Sequence, residues 1–247
     1  MNKKQWNDLY NYDFFLELAA GRIPGKSQEI KFGEIPSIAL NTLQDVWDFT
    51  PALYTFQADV VEHFISSSNN SDTQTIYIKG LGEDKKLKEM TVTLAGQTKT
   101  SIGNWYRTFR IANVNDDETA GNIYIYEDDT VTAGVPDTDS KVRAYMAQTE
   151  QQTLMCIYTI PIDKKGYLIA TESSFSNKQS ADITHRLKVR SNGGPFRTAA
   201  TVGIEQSYHP VVPYGVLDPL MDIKAQAYSD TAGVRVDGKF FIILEDI

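Results

Sequence analysis

One cysteine, three histidines and no apolar run near the ~20 residues of a membrane helix are all that 247 residues supply. Each shortage removes a class of protein. The lone Cys156 forbids an internal disulfide framework, and its setting in the apolar run LMCIY reads as a buried, inert thiol. His63, His185 and His209 have no partner at metal-ligand spacing, and no serine or cysteine around them resembles a triad motif. A phosphate-cradling loop is missing too: GLGEDKK lacks the Walker spacing and opens a strand instead of a helix. Positive charge is outnumbered, with 24 Lys and Arg against 32 Asp and Glu, a net charge of −8. That balance argues against a nucleic-acid partner, which needs a basic surface. The start MNKKQW turns polar with no signal-peptide apolar region, so the chain is expected to be made in a cytoplasm.

What is present is ordinary for a folded domain: 41% hydrophobic and 23% charged residues, in a chain long enough for one large core or two small ones. Residues 7–20, NDLYNYDFFLELAA, place Tyr10, Phe14 and Leu18 at i, i+4 and i+8 with Phe15 beside them, an apolar stripe at helical period. Asn7 can cap its start, Gly21 suits the left-handed residue after its end, and Pro24 forbids continuation. Gly21 to Trp47 shows little regular pattern and reads as an extended arm.

Beyond Thr50 the period changes to two. ADVVEHFISSS, the hairpin TIYIKGLGEDKKLKEMTVTL, NWYRTFRIANV, GNIYIYE, TLMCIYTIPI, KKGYLIATESS, DITHRLKVRS, FRTAATVGIE, DIKAQAYS and KFFIILEDI read as strands. Without βαβ alternation, the prediction is a mainly β protein. A β-sandwich or jelly-roll-like core over 51–247 is expected behind an N-terminal helix and arm over 1–50. The polar loop VTAGVPDTDSK leaves two possibilities: one interleaved sandwich, or two β subdomains of about 51–135 and 150–247.

Candidate chemistry is sparse. The acidic runs Asn115–Glu118 and Glu127–Asp129 lack the spaced ligands and central glycine of a calcium loop and read as solvated turns. DTAG at 230–233 faintly resembles an aspartic-protease loop but has no second half. Along DITHRLKVR, Ile183, His185, Leu187 and Val189 share one face, so His185 reads as a core or interface residue, as does His63 in VVEHFI. The other face carries Thr184, Arg186, Lys188 and Arg190, a basic row that can meet an acidic patch on a neighbouring copy or remain solvated. No catalytic residue, metal or cofactor is expected.

The order of segments resembles a group of structural proteins of tailed bacteriophages, especially marine ones. The resemblance is carried by FFLELAAGRIPGKSQEIKFG, LQDVWD, IYIKGLGEDKKLKEMTVTLAGQT, GNIYIYE, MCIYTIPIDKKGYLI, RLKVRSNGGPFRT, DIKAQAYSD and FFIILEDI. One departure is local: relatives tend to follow the tryptophan with glycines, whereas Trp47 is followed by Asp48, Phe49, Thr50 and Pro51. The resemblance implies a virion component assembled in a host bacterial cytoplasm, not an enzyme. Decoration, cement or head-fibre base stands first; a neck, tail or baseplate part, or a carbohydrate-binding β-sandwich at the host surface, are the alternatives. The resemblance implies the major capsid protein or other virion proteins as partners; the arm and the basic strand face in an acidic chain lead to an expected self-association, a trimer first, and charge and hydropathy to no nucleic acid or membrane. Tyr10, Phe14, Phe15, Leu18, Arg186, Lys188 and Arg190 are the expected contact residues. The helix can dock on a neighbour or fold back over its own sheet edge.

Overall fold

The computed structural model describes residues 14–49, 53–176, 182–204, 207–208 and 215–247. Nineteen strands and one short α-helix are found there, so the fold is mainly β with antiparallel sheets throughout, as the period of two predicts. The helix, α1 (Phe14–Ala19), ends where expected, with Gly21 at φ 68° and Arg22 N–H donating to the Glu17 carbonyl. The expected cap Asn7 and Tyr10 lie outside the described residues.

The strands form two sandwiches, one inserted into the other. In the first, β1 (Lys26–Ile35), β19 (Arg235–Asp246), β13 (Lys164–Ser176) and β16 (Ser207–Tyr208) lie in that order, with β17 (Val216–Leu217) also on β13. Facing this sheet is a second one of β12 (Ile157–Thr159), β18 (Asp222–Ser229), β14 (Ile183–Arg190) and β15 (Arg197–Ile204), with β2 (Gln44–Asp45) on β18. Leu168, Phe240, Ile242 and Leu244 of the first sheet and Ile183, Leu187, Ile223 and Ala225 of the second fill one core.

The inserted sandwich uses residues 61–146. One sheet runs β11 (Val142–Met146), β8 (Ile123–Glu127), β3 (Val61–Ser67), β6 (Thr100–Trp105). The other runs β5 (Leu87–Thr93), β4 (Thr75–Leu81), β7 (Arg107–Asn113). Ile65, Ile76, Ile78, Trp105, Ile111, Ile123 and Ile125 fill a separate core. Leu81, Tyr106, Phe109 and Val142 reach across to the first core and join the two bodies.

Two sequence expectations are corrected. Residues 26–35 are no arm: β1 pairs with β19 along its whole length, from Lys26↔Glu245 to Ile35↔Val236. Alternation was hidden because the inward positions Glu29, Lys31 and Gly33 are not apolar. Glu29 is buried against Lys79 of the inserted sandwich, and Lys31 Nζ donates to the Phe109 carbonyl at 2.5 Å. Gly33 is forced by space, since a Cβ there would sit 2.6 Å from the Cys156 nitrogen and the Val46 carbonyl oxygen. The loop VTAGVPDTDSK does not divide the bodies either. It holds the small hairpin of β9 (Val131–Thr132) and β10 (Val135–Pro136), and the chain then returns to β8 as β11. The division into two β bodies falls after Met146, and the later body also recruits residues 26–47.

Candidate interaction surface

A network of buried charged groups lies where the two sandwiches meet. Asp222 on β18 accepts from Thr159 Oγ1 at 2.6 Å and pairs with Arg190 at 2.7 Å; Arg107 of β7 stands 3.6 Å away. Asp45, on β2, accepts from the Tyr54 backbone N–H at 2.7 Å, Lys224 Nζ at 2.9 Å and Gln226 Nε2 at 2.8 Å. Arg190 lies over the rings of Phe56 and Phe196. These charges are paired and supplied with donors, the condition under which burial is tolerated. This junction answers for one expected contact residue: Arg190 clamps the chain to itself.

Its neighbours on the same face differ. Lys188 donates to Thr198 Oγ1 at 2.6 Å on the exposed side of the sheet. Arg186, half-buried opposite Gln226 and Thr201, makes no ion pair among the described residues. The inward face carries Ile183, His185 and Leu187 as expected, and burial holds His185 down to about 4. His63 is likewise buried, with Gln57 Oε1 at 2.8 Å and Thr108 Oγ1 at 3.3 Å, and burial lowers it to about 3. Neither is placed for metal or nucleophile chemistry, and among the described residues no three His, Cys, Asp or Glu side chains could hold a metal ion. His209 lies outside the described residues. Cys156 is buried, which pushes its thiol up and keeps it protonated. The acidic runs are occupied as turns: Asp117 accepts from Gln74, Asp128 pairs with Lys99, and Asp129 pairs with Lys141.

Two features stand out on the outer face of the β1–β19–β13 sheet. At the Lys26 end lies α1, packed beside β1. Leu18 is buried, while Phe14 is 38%, Phe15 52% and Leu16 57% exposed. Phe14 borders an apolar groove of about 430 Å³ with Tyr167, Ile169, Val216 and Ile243. Leu18 is the residue of the helix buried against its own chain, and the rings of Phe14 and Phe15 meet edge to face at 5.5 Å.

At the opposite end of the same strands is a cavity of about 290 Å³ walled by Glu34, Glu150, Glu172, Ser173, Asp237, Arg235 and Lys239, among others. Arg235 pairs with Glu34 at 2.5 Å and Asp237 at 3.1 Å, and Lys239 pairs with Glu172 at 3.5 Å. Burial raises the Glu34 carboxyl although Arg235 opposes it. Beside this wall Asp48 is buried; burial, with Glu34 and Glu150 nearby, pushes its carboxyl up to about 8 against the opposing pull of the Asp48 and Ala147 backbone N–H groups. Sequence reading missed this cavity because its acids come from four separate segments, each unexceptional where it stands.

No family model and no curated protein matches the chain. Among solved structures, the chain is similar to a subviral particle of infectious bursal disease virus VP2. Identity is 8%, coverage is 91% of this chain and 77% of that one, and the TM-score is 0.21. A structure of the Gt strain of that virus gives 8% identity over 96% of this chain and 83% of that one, with a TM-score of 0.18. At TM-scores of 0.18 and 0.21 these likenesses carry no argument about fold or role. Among the described residues, no helix is long and apolar enough to cross a membrane.

Proposed function

We propose that this chain is a structural protein of a bacteriophage virion, a capsid-associated decoration, cement or head-fibre base subunit. In this reading it self-associates, fastens to neighbouring virion proteins through its N-terminal segment, and turns over no substrate. The observation that carries the reading is α1: Leu18 anchors the helix in cis, while Phe14, Phe15 and Leu16 stay exposed beside an apolar groove. An exposed aromatic cluster rimmed by polar surface is what a protein partner covers. Burial worth ~25 cal/mol per Å², multiplied over many copies, makes a short helix an effective fastener. The order of sequence segments, which resembles phage structural proteins, supports the same reading.

The test replaces Phe14, Phe15 and Leu16 with Ala in the full chain and measures incorporation into particles by quantitative mass spectrometry. Incorporation should fall at least tenfold with unchanged melting, and wild-type copy number should be in the hundreds per particle for a head decoration. Absence of the wild-type chain from purified particles would overturn the proposal, as would glycan cleavage by the purified protein that a single carboxylate substitution abolishes.

A further inference from the structure

We propose that the open edge of β15 (Arg197–Ile204) pairs antiparallel with the β15 edge of a second copy, joining two five-stranded sheets into one across a two-fold axis. The proposal rests on the self-association above and names the surface that performs it. β15 ends the strand order β12–β18–β14–β15 and has β14 on one side. Among the described residues, no backbone group of 197–204 bonds outside the β14 ladder. Arg197, Thr198, Ala199, Thr201 and Gly203 are all exposed.

A row of unpaired N–H and C=O groups is a template for another strand, and folds blunt such rows with charge, brevity or a cover. Other edges of this molecule carry these devices. β7 is covered by residues 151–153, with Asn113 N–H donating to the Gln151 carbonyl and Thr153 N–H to the Ile111 carbonyl, both at 2.9 Å. β12 is three residues long, and β5 carries Lys88 and Glu89. On β6 the left-handed Gly103, at φ 77°, interrupts the row, and Lys88 Nζ donates to the Asn104 carbonyl at 3.2 Å. β15 has none of them. It runs for eight residues without proline, and Arg197 is its one charge.

The chemistry of the edge selects a second copy. An edge this neutral offers a foreign strand no charge to read, whereas its twin can match it residue for residue. Parallel pairing would set one Arg197 about 4.8 Å from the other, like charge beside like. Antiparallel pairing sends the two to opposite ends. The ladder with β14 also fixes a register. Ala199 is an extra residue there, since Leu187 pairs with Ala200 and Lys188 with Thr198. Thr198 and Thr201, opposite Lys188 and Arg186, therefore share the outward face. A two-fold between Ala199 and Ala200 sets Thr198 of each copy against Thr201 of the other, a favourable cross-strand pair made twice. The two Arg197 then stand roughly 17 Å apart along the strands, and the two basic rows of β14 roughly 14 Å apart across them. Both separations exceed the screening length of about 8–10 Å. Such a contact closes at two copies, in place of the trimer expected from the sequence. A single strand edge buries less than a standard interface of about 1,600 Å², so association is expected at micromolar concentration.

Sedimentation velocity on the full chain over a concentration series, with amide hydrogen exchange at its two ends, tests the contact. The wild type should pass from monomer to dimer, and exchange within 197–202 should slow at least tenfold as it does. Thr201→Lys puts a charge on the edge, beside Lys188 of the second copy, and should weaken the dimer at least tenfold. Thr198→Glu combined with Thr201→Lys sets opposite charges across the two-fold and should restore it. Both positions are exposed, and melting curves check that each variant is folded. A chain monomeric at about 100 μM, or a Thr201→Lys variant that dimerises as the wild type does, would overturn the proposal. So would a dimer whose exchange slows elsewhere and not within 197–202. Protection of 197–202 that arises only on addition of particles would also overturn it, and would give the edge to a strand of another virion protein. Particle incorporation separates this contact from the functional reading. A chain that enters particles as a monomer loses the edge contact and keeps the virion role. A chain that dimerises through 197–202 and is absent from particles keeps the contact and loses the role.

Discussion

The two sandwiches reach the same architecture by opposite chain economies. The inserted body is built from near neighbours: β4 pairs with β5 across a short turn, and β3, β6, β7 and β8 lie within 61–127. The body around it is closed by strands far apart in sequence. Its edge strand β1 pairs with β19, and Lys26 meets Glu245. Local pairing costs little loop-closure entropy, whereas distant pairing must wait for the whole chain. The inserted sandwich is therefore expected to form first and the surrounding one to close over its flanks.

A matched pair of substitutions breaks this comparison most strongly. A Cβ at Gly33 of the outer body would lie 2.6 Å from the Cys156 nitrogen; at Gly80 of the inserted body it would lie 2.1 Å from the Arg107 carbonyl oxygen. Both neighbours are backbone, so Gly33→Val and Gly80→Val should each destabilise by roughly 4–5 kcal/mol. Amide hydrogen exchange should localise the first loss to β1, β13 and β19, with 61–146 still protected. The second should loosen the inserted body and, through Leu81 and Tyr106, its neighbour. Equal loss everywhere after Gly33→Val would mean that the two bodies have no separate stability.

The junction comes next. Asp222→Ala leaves Arg107 and Arg190 facing each other without their shared carboxylate, a loss of about 3–5 kcal/mol by analogy with other broken buried pairs. Denaturant unfolding should then split from one transition into two, the second belonging to the inserted sandwich. Acid titration gives a somewhat smaller effect in each body. His185 in the outer body is held near 4 and His63 in the inserted body near 3, both by burial, against 6.5 when unfolded. Both folded values are depressed, so below pH 6.5 the unfolded chain takes up protons that the fold refuses. Stability is whole above pH 6.5 and falls as pH drops, by about 3 kcal/mol for His185 as pH reaches 4. Substituting His185 by Phe should flatten this limb in melting experiments, while His63 continues to act toward pH 3. Smallest of all, Phe14→Ala with Phe15→Ala should change stability by less than about 0.5 kcal/mol, because both rings are exposed, whereas Leu18→Ala should lose ~2 kcal/mol or more.

Much of the fold was legible because most strands alternate against an apolar core. The hairpin around GLGEDKK, the inward row of Ile183, His185 and Leu187, and the glycine that ends α1 all stand where local rules put them. What escaped was burial by charge. Glu29 and Lys31 in β1 and Asp222, Lys224 and Gln226 in β18 are buried, with partners far away in sequence. No local period reports a neighbour 50 or 180 residues away. Of the expected contact residues, Phe14 and Phe15 are exposed, Leu18 is buried on its own chain, and Arg190 pairs with Asp222 inside the molecule.

The pairing of β1 with β19 also decides how the molecule would respond to force. Chain enters β1 at Lys26 and leaves β19 near Glu245, and these residues are antiparallel partners at the same end of the ladder. Tension between the two would open the rungs one after another from that end, like a zip, instead of loading them all in shear. The inserted sandwich lies outside the loaded path until β1 has been stripped away. A tether at this end would therefore yield at low force and in small steps, while the same protein pressed between neighbours through its sheet faces would be stiff.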